Sequence, residues 1–214
     1  MQFKARLVEW KEIVDWCDTL RSRIIGSFDP DFIIGLSRGG LVPARILSDS
    51  LLIKDLFTLK TEHWGMTANV DGQAVLRKPD SLNVKGRRVL IVDDITDTGE
   101  SMDIAKKYVQ SLGPAALKTS TMLHIDRSKH VPDFFARGVS GSEWTWFIFP
   151  WNIHEDLNNL IVKSCHGKFS TGQILGILKD QYDLNISLKV LDSVLADLVQ
   201  LGKIKKERSA WVTE

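Results

Sequence analysis

Cysteine is nearly absent from this sequence. Cys17 and Cys165 are the only two among 214 residues, and each falls inside a helix-like pattern. A disulfide framework is excluded as a source of stability, and a cytoplasmic setting is the simplest expectation. Long apolar runs are missing as well. No stretch approaches the roughly 20 residues that a bilayer-spanning helix requires, so no membrane partner is expected. The opening residues Met1 to Arg6 lead into nothing that resembles a secretory signal. Charge of one sign is not in excess, with 28 basic residues against 27 acidic ones. Such a balance supplies no general field toward nucleic acid or lipid. What remains is 43% apolar and 26% charged, enough for one substantial core, or for one domain with a small companion.

Periodicity organises the first two thirds. Trp10, Ile13, Val14, Cys17, Leu20 and Ile24 mark one face of a helix over 8–25. After the turn signal Asp29-Pro30, the apolar run 32–36 reads as a strand covered on both faces. A helix follows over 41–51, with Pro43 in its first turn, where proline is tolerated. Strands are predicted at 56–60, 88–94, 117–125 and 145–149, and a helix at 101–112 closed by Gly113-Pro114. Between 61 and 83 the pattern weakens, with Asp71-Gly72 reading as a hairpin turn. Strands alternating with helices predict an α/β fold, a mostly parallel sheet flanked by helices whose ligands sit beyond the strands' carboxyl ends. After residue 152 only helical spacing persists, over 155–165, 171–182 and 187–201, with Ser170, Asn185 and Ser187 as entry residues. The boundary is therefore placed at 152. Residues 1–152 form one domain and 153–214 a C-terminal three-helix bundle of winged-helix-like pattern.

The densest chemistry lies in Val89-Leu90-Ile91-Val92-Asp93-Asp94-Ile95-Thr96-Asp97-Thr98-Gly99-Glu100-Ser101. A buried strand delivers two adjacent carboxylates, and a turn with hydroxyls and a glycine then opens a helix. Backbone N–H groups at such a turn cradle phosphate. Carboxylates beside it suit sugar hydroxyls, or a Mg²⁺ ion shared with a polyphosphate. This segment resembles the phosphoribosyl pyrophosphate signature of the type I phosphoribosyltransferases. The resemblance implies that Asp93 and Asp94 hold the ribose hydroxyls, with Asp94 nearer a Mg²⁺ carried mainly by the substrate. It implies a 5′-phosphate loop of Thr96, Asp97, Thr98, Gly99, Glu100 and Ser101, and makes Asp97 the acid beside the base nitrogen. It also implies the type I fold and a homodimer.

Two further stretches carry the same resemblance. Gly35-Leu36-Ser37-Arg38-Gly39-Gly40 is similar to the pyrophosphate loop of bacterial xanthine–guanine enzymes, which implies pyrophosphate contacts at Ser37, Arg38 and Gly39 and a cis Ser37–Arg38 peptide. Trp144-Thr145-Trp146-Phe147-Ile148-Phe149-Pro150-Trp151 resembles the base-binding strand of the 6-oxopurine enzymes. Trp146 is the stacking candidate and Phe147 the second, with backbone groups around Ile148 reading the base edge. A plain core role for these aromatics is the alternative. Lys60, with Thr61 and Glu62, corresponds loosely to the start of the family's closing loop. Lys60 is thereby a pyrophosphate contact, or else a solvated lysine.

In this reading, Mg²⁺ and Arg38 neutralise the leaving pyrophosphate, and Asp97 takes a proton from the base. The base is read from a departure. The 6-oxopurine enzymes carry a lysine near the position of Ile125, and no lysine lies between Lys118 and Lys129. Without that donor, Ile95, Ile125 and Asp126 are expected at the base, where Asp126 or a backbone carbonyl near Phe147 can accept from an amino group. Adenine is therefore the expected base, as in an archaeal-type adenine phosphoribosyltransferase. Hypoxanthine, guanine or xanthine is the alternative, since Arg127 could stand in for the lysine. A winged helix on this fold also resembles bacterial purine repressors, so a regulator that senses phosphoribosyl pyrophosphate is the rival of another class. Against it, the helix at 187–201 sets Lys189 against Asp192 and Asp197, poor chemistry for a DNA groove.

Overall fold

The computed structural model describes residues 3–63, 74–77, 82–208 and 210–213. In chain order the elements are β1 (Ala5–Leu7), α1 (Trp10–Ile24), β2 (Phe32–Ser37), α2 (Leu41–Ser50), β3 (Leu56–His63), β4 (Ala74–Arg77) and β5 (Arg88–Thr96). There follow α3 (Glu100–Ser111), β6 (Ala116–Ile125), β7 (Phe134–Val139), β8 (Trp146–Ile148), α4 (Ile153–Ser164), β9 (Gly167–Phe169), α5 (Thr171–Tyr182), α6 (Leu188–Gln200), β10 (Ile204–Glu207) and β11 (Ala210–Thr213). Among the described residues, no helix is long and apolar enough to cross a membrane.

The chain divides into two compact units, Trp10–Trp144 on the one hand and Met1–Glu9 with Thr145–Glu214 on the other. The first is built on a six-stranded sheet of order β4-β3-β2-β5-β6-β7. Every neighbouring pair is parallel except β3 with β4. The central strands carry unbroken apolar stretches, 32–36 in β2 and 89–92 in β5, because both faces are covered there. Phe32, Ile34, Leu36, Val89 and Ile91 pack on one side with Met102, Ala105 and Val109 of α3. Arg87 closes the opposite end of the sheet by donating to Asp31 (2.9 Å) and Asp55 (2.5 Å). The predicted turn at Asp71-Gly72 lies outside the described residues. The ladder that flanks it, Lys60 opposite Arg77 through His63 opposite Ala74, is antiparallel.

The second unit joins the start of the chain to its final third. β1 pairs in parallel with β8, Ala5 opposite Trp146 and Leu7 opposite Ile148. The predicted strand at 145–149 thus exists, but its partner is β1. Three strands that no helical spacing announced, β9, β10 and β11, form an antiparallel sheet of order β10-β11-β9. Helix–strand–helix–helix–strand–strand is the order of a winged helix. Ala5 and Ile148 share a core with Leu157, Ile161, Leu178, Leu191, Leu195 and Leu198. Ser170 caps α5 in a reciprocal box with Gln173, and Ser187 caps α6 through Val190 N–H. Asn185 caps neither. The compact division falls after Trp144 rather than at 152 because β8 is tied to β1 by hydrogen bonds such as Trp146 N–H to the Lys4 carbonyl (2.7 Å).

Candidate functional site

The sheet brings the end of β2 and the turn after it, β3, and the end of β5 with the turn into α3 to one cleft of about 260 Å³, lined by Ser37, Arg38, Gly39, Thr61 and residues 93–102. Strand β5 runs on to Thr96, two residues beyond its predicted end, because Ile95 and Thr96 stay paired with Leu123 and His124 of β6. Asp93 and Asp94 therefore lie within the strand. The Asp94 N–H donates to Asp93 Oδ1 (3.0 Å) and the Ile95 N–H to Asp94 Oδ1 (2.8 Å). Burial first, and then the charge of Asp94, push the Asp93 carboxyl well above its ordinary range. Two carboxylates this close repel, and a cation or hydroxyl donors at the cleft would relieve them.

The Ser37–Arg38 peptide is cis, as the resemblance implied. The next residue, Gly39, lies so close to the Asp94 carboxylate that a Cβ would collide with it. That contact ties the Arg38 loop to the acidic pair. Gly99 has φ +85° and forms the N-cap of α3. A Cβ there would sit 2.6 Å from Ser128 Oγ and 2.7 Å from His130 N. Thr98 Oγ1 accepts from Glu100 N–H (3.4 Å), so the turn enters the helix with its amides toward the cleft's end.

Asp97 meets a partner that the spacing did not reveal. Arg127 donates to Asp97 Oδ1 from Nε (2.9 Å) and Nη2 (2.6 Å), while its guanidinium lies 4.9 Å from the centroid of Trp144. His124 donates to, or accepts from, Thr96 Oγ1 at 2.9 Å. Burial, and then the nearby His130, lower its pKa.

Of the residues expected at the site, Ser37, Arg38, Gly39 and Asp93 to Ser101 line one cleft, Ile95 among them. Lys60 does not line it; it is exposed on β3, opposite Ser37, and its neighbour Thr61 takes the lining position. Ile125 is wholly buried at the end of β6 and offers no surface to a ligand. Asp126 is exposed, with Oδ1 accepting from the Gly141 N–H (2.7 Å). Its carboxylate thus ties the end of β6 to Gly141, 15 residues on, and does not line the cleft. Trp146, Phe147 and Ile148 belong to the other unit. There Trp146 packs on Phe3 at 6.2 Å, Phe147 lies under the Arg6 guanidinium at 5.2 Å, and Ile148 has no exposed surface. Met102 extends the expected lining by one residue, and Arg127, expected only as a stand-in for the lysine, pairs with Asp97 instead, a tertiary contact that leaves no periodic signal.

Among the described residues, no group of three or more histidines, cysteines or acids could hold a metal ion. A pair of carboxylates without a third protein ligand fits Mg²⁺ that brings most of its oxygens with a substrate.

Residues 5–157 match the profile of the phosphoribosyl transferase domain. A xanthine-guanine phosphoribosyltransferase of Idiomarina loihiensis is 31% identical over 147 residues, 69% of this chain and 86% of the relative. Another of that name, from Cereibacter sphaeroides, is 32% identical over 124 residues, 56% of this chain and 68% of the relative. Among solved structures, a purine phosphoribosyltransferase of Pyrococcus horikoshii superposes with a TM-score of 0.59 at 30% identity, covering 69% of this chain and 93% of that one.

Proposed function

The chain belongs to the phosphoribosyl transferase domain family, and from that premise we propose that it transfers the 5-phosphoribosyl group of phosphoribosyl pyrophosphate to a purine base. One observation carries the proposal: a single cleft gathers the Arg38 loop, the Asp93–Asp94 pair and the turn from Thr96 to Ser101. Amides of the turn hold the 5′-phosphate at the start of α3. Asp93 and Asp94 take the ribose hydroxyls, whose donation eases the repulsion between the two crowded acids. Arg38 and the backbone at Ser37 and Gly39 take the pyrophosphate. The bond from ribose C1′ to pyrophosphate breaks with its electron pair leaving on oxygen. A ring nitrogen of the base closes on C1′, and its proton goes to Asp97. Arg127 fixes Asp97 by one oxygen, which sets the direction of the carboxylate. Mg²⁺, held by the substrate and Asp94, would supply charge neutralisation at the pyrophosphate.

For the base, the relatives' names speak for a 6-oxopurine, xanthine or guanine, over the adenine expected from the sequence. A second reading keeps adenine on one observation, the absence of any lysine between Lys118 and Lys129. Incubation with phosphoribosyl pyrophosphate, Mg²⁺ and each of adenine, hypoxanthine, guanine and xanthine separates them by the nucleotide formed. IMP, GMP or XMP supports the first reading and AMP alone the second. Asp97→Asn is expected to lower kcat by about a hundredfold or more in whichever reaction is found. No nucleotide from any base overturns the proposal.

A further inference from the structure

Behind the turn at Gly99 lies a buried polar network with no part in the scheme above. His130 is only 6% exposed. Its Nδ1 is 2.6 Å from Asp103 Oδ1, and its Nε2 is 3.2 Å from Thr119 Oγ1. The Thr119 hydroxyl donates to Asp133 Oδ2 (3.0 Å) and accepts from Asp133 N–H (3.1 Å). Asp133 also accepts from Lys118 Nζ (2.7 Å). Burial raises the Asp133 pKa, but its bonds from Lys118 and Thr119 outweigh that and hold the group below its ordinary range. An ionised Asp133 accepts only, so the Thr119 proton goes to it. Nε2 of His130 then faces an oxygen whose proton is already committed, while Nδ1 faces the Asp103 carboxylate.

The geometry makes sense in terms of where Asp103 sits. It is one of two acids, with Glu100, in the first turn of α3. A carboxylate there competes with a phosphate for the same positive helix end. His130 Nδ1 engages that carboxylate directly. The same segment braces the turn from outside: Ser128 Oγ donates to the His130 carbonyl (2.9 Å), and Lys129 N–H donates to the Thr98 carbonyl (3.1 Å). The His130 backbone also fills the space that a side chain at position 99 would need.

We propose that His130 is a positioning residue for the 5′-phosphate loop, one that neutralises Asp103 and so keeps the N-terminus of α3 open to a phosphate. It touches no substrate; it acts through Asp103 and the Thr98–Gly99 backbone. The proposal rests on the phosphoribosyl pyrophosphate reading of the cleft, and binding separates the two because it needs no base transfer.

The experiment is calorimetric titration of phosphoribosyl pyrophosphate with Mg²⁺ into the full chain, its His130→Ala and Asp103→Asn variants and the double variant, with kcat measured at saturating substrate. His130→Ala is expected to raise Kd about tenfold, the scale of a charge at a helix end, with kcat within about twofold. Asp103→Asn added to it is expected to restore most of the affinity, which a purely structural role for His130 would not allow. Asp103→Asn alone keeps a half-exposed surface position and is expected to bind as well as the parent or better. An unchanged Kd in His130→Ala, no restoration in the double variant, or weaker binding in Asp103→Asn overturns the inference. Should His130→Ala not fold, the single Asp103→Asn result decides it. A parent chain that binds but forms no nucleotide refutes the transfer reading alone, and one that does not bind refutes both.

Discussion

At Gly99 three demands meet in one residue. The backbone has φ +85°, the neighbouring Ser128 and His130 leave no room for a Cβ, and the turn opens the helix that faces the cleft. Gly99→Ala combines strain with a steric clash against backbone, so a loss of about 1–3 kcal/mol is expected. The shift of the urea unfolding midpoint measures it, and a change under about half a kcal/mol would mean that the loop relaxes at little cost. The two thiols make the opposite case, residues whose chemistry is suppressed. Burial first, and then Asp18, push the Cys17 thiol up to about 12, and burial raises Cys165. Both are unbridged and buried. Neither is expected to react with a disulfide reagent at pH 8 in the folded chain, and both should react once it is unfolded. Rapid labelling of the folded chain would contradict the packing around Cys17 in α1 or around Cys165 at the end of α4.

Among elements, the junction of β5 and β6 has a pH signature. His124 is held below its ordinary pKa by burial and by His130, with Asp126 opposing. An unfolded chain then binds the proton more readily than the folded one. The stability contributed by neutral His124 is full above about pH 6.5 and is lost as pH falls through that value toward the folded pKa. The urea midpoint is expected to fall between pH 7.5 and pH 5.5, and His124→Asn to flatten that slope. The same pair of strands shows what the sequence could and could not disclose. β5 and the start of α3 were legible because four apolar residues, two acids, a glycine and a helix start follow each other without a gap. The length of β5 was not, since Thr96 belongs to the ladder only through His124. β7 escaped notice because Ala136, Arg137 and Gly138 break any alternation on an edge strand half open to solvent. β10 escaped because three of its four residues are charged and exposed. The pairs Arg127–Asp97 and His130–Asp103 span 30 and 27 residues, distances at which no period operates.

For the whole molecule, the division of the chain decides which pieces can stand alone. A fragment of residues 1–152 would keep β1 and β8 while removing α4, α5 and α6. Ala5 and Ile148, 3% and 0% exposed in the full chain, would lose the core that covers them. That fragment is expected to bind a hydrophobic dye and to aggregate, whereas residues 10–144 should remain soluble with a cooperative thermal transition. The reverse result would argue for a boundary at 152. The winged-helix order of the final third does not by itself recommend a DNA ligand. α6 exposes Lys189, Asp192, Ser193 and Ala196, a mixed face with little to offer a phosphate backbone.

The pairing of β1 with β8 also has a consequence in time. Thr145 Oγ1 donates to the Lys4 carbonyl across a separation of 141 residues. At about 5–20 residues per second of synthesis, β1 waits on the order of ten seconds for its neighbour β8. During that wait the intervening unit can complete its sheet, and its closure shortens the loop that β1 must span. The order of manufacture thus favours a nascent chain in which the sheet with the cleft matures before β1 finds β8, while β1 remains available to whatever binds an unpaired strand at the ribosome.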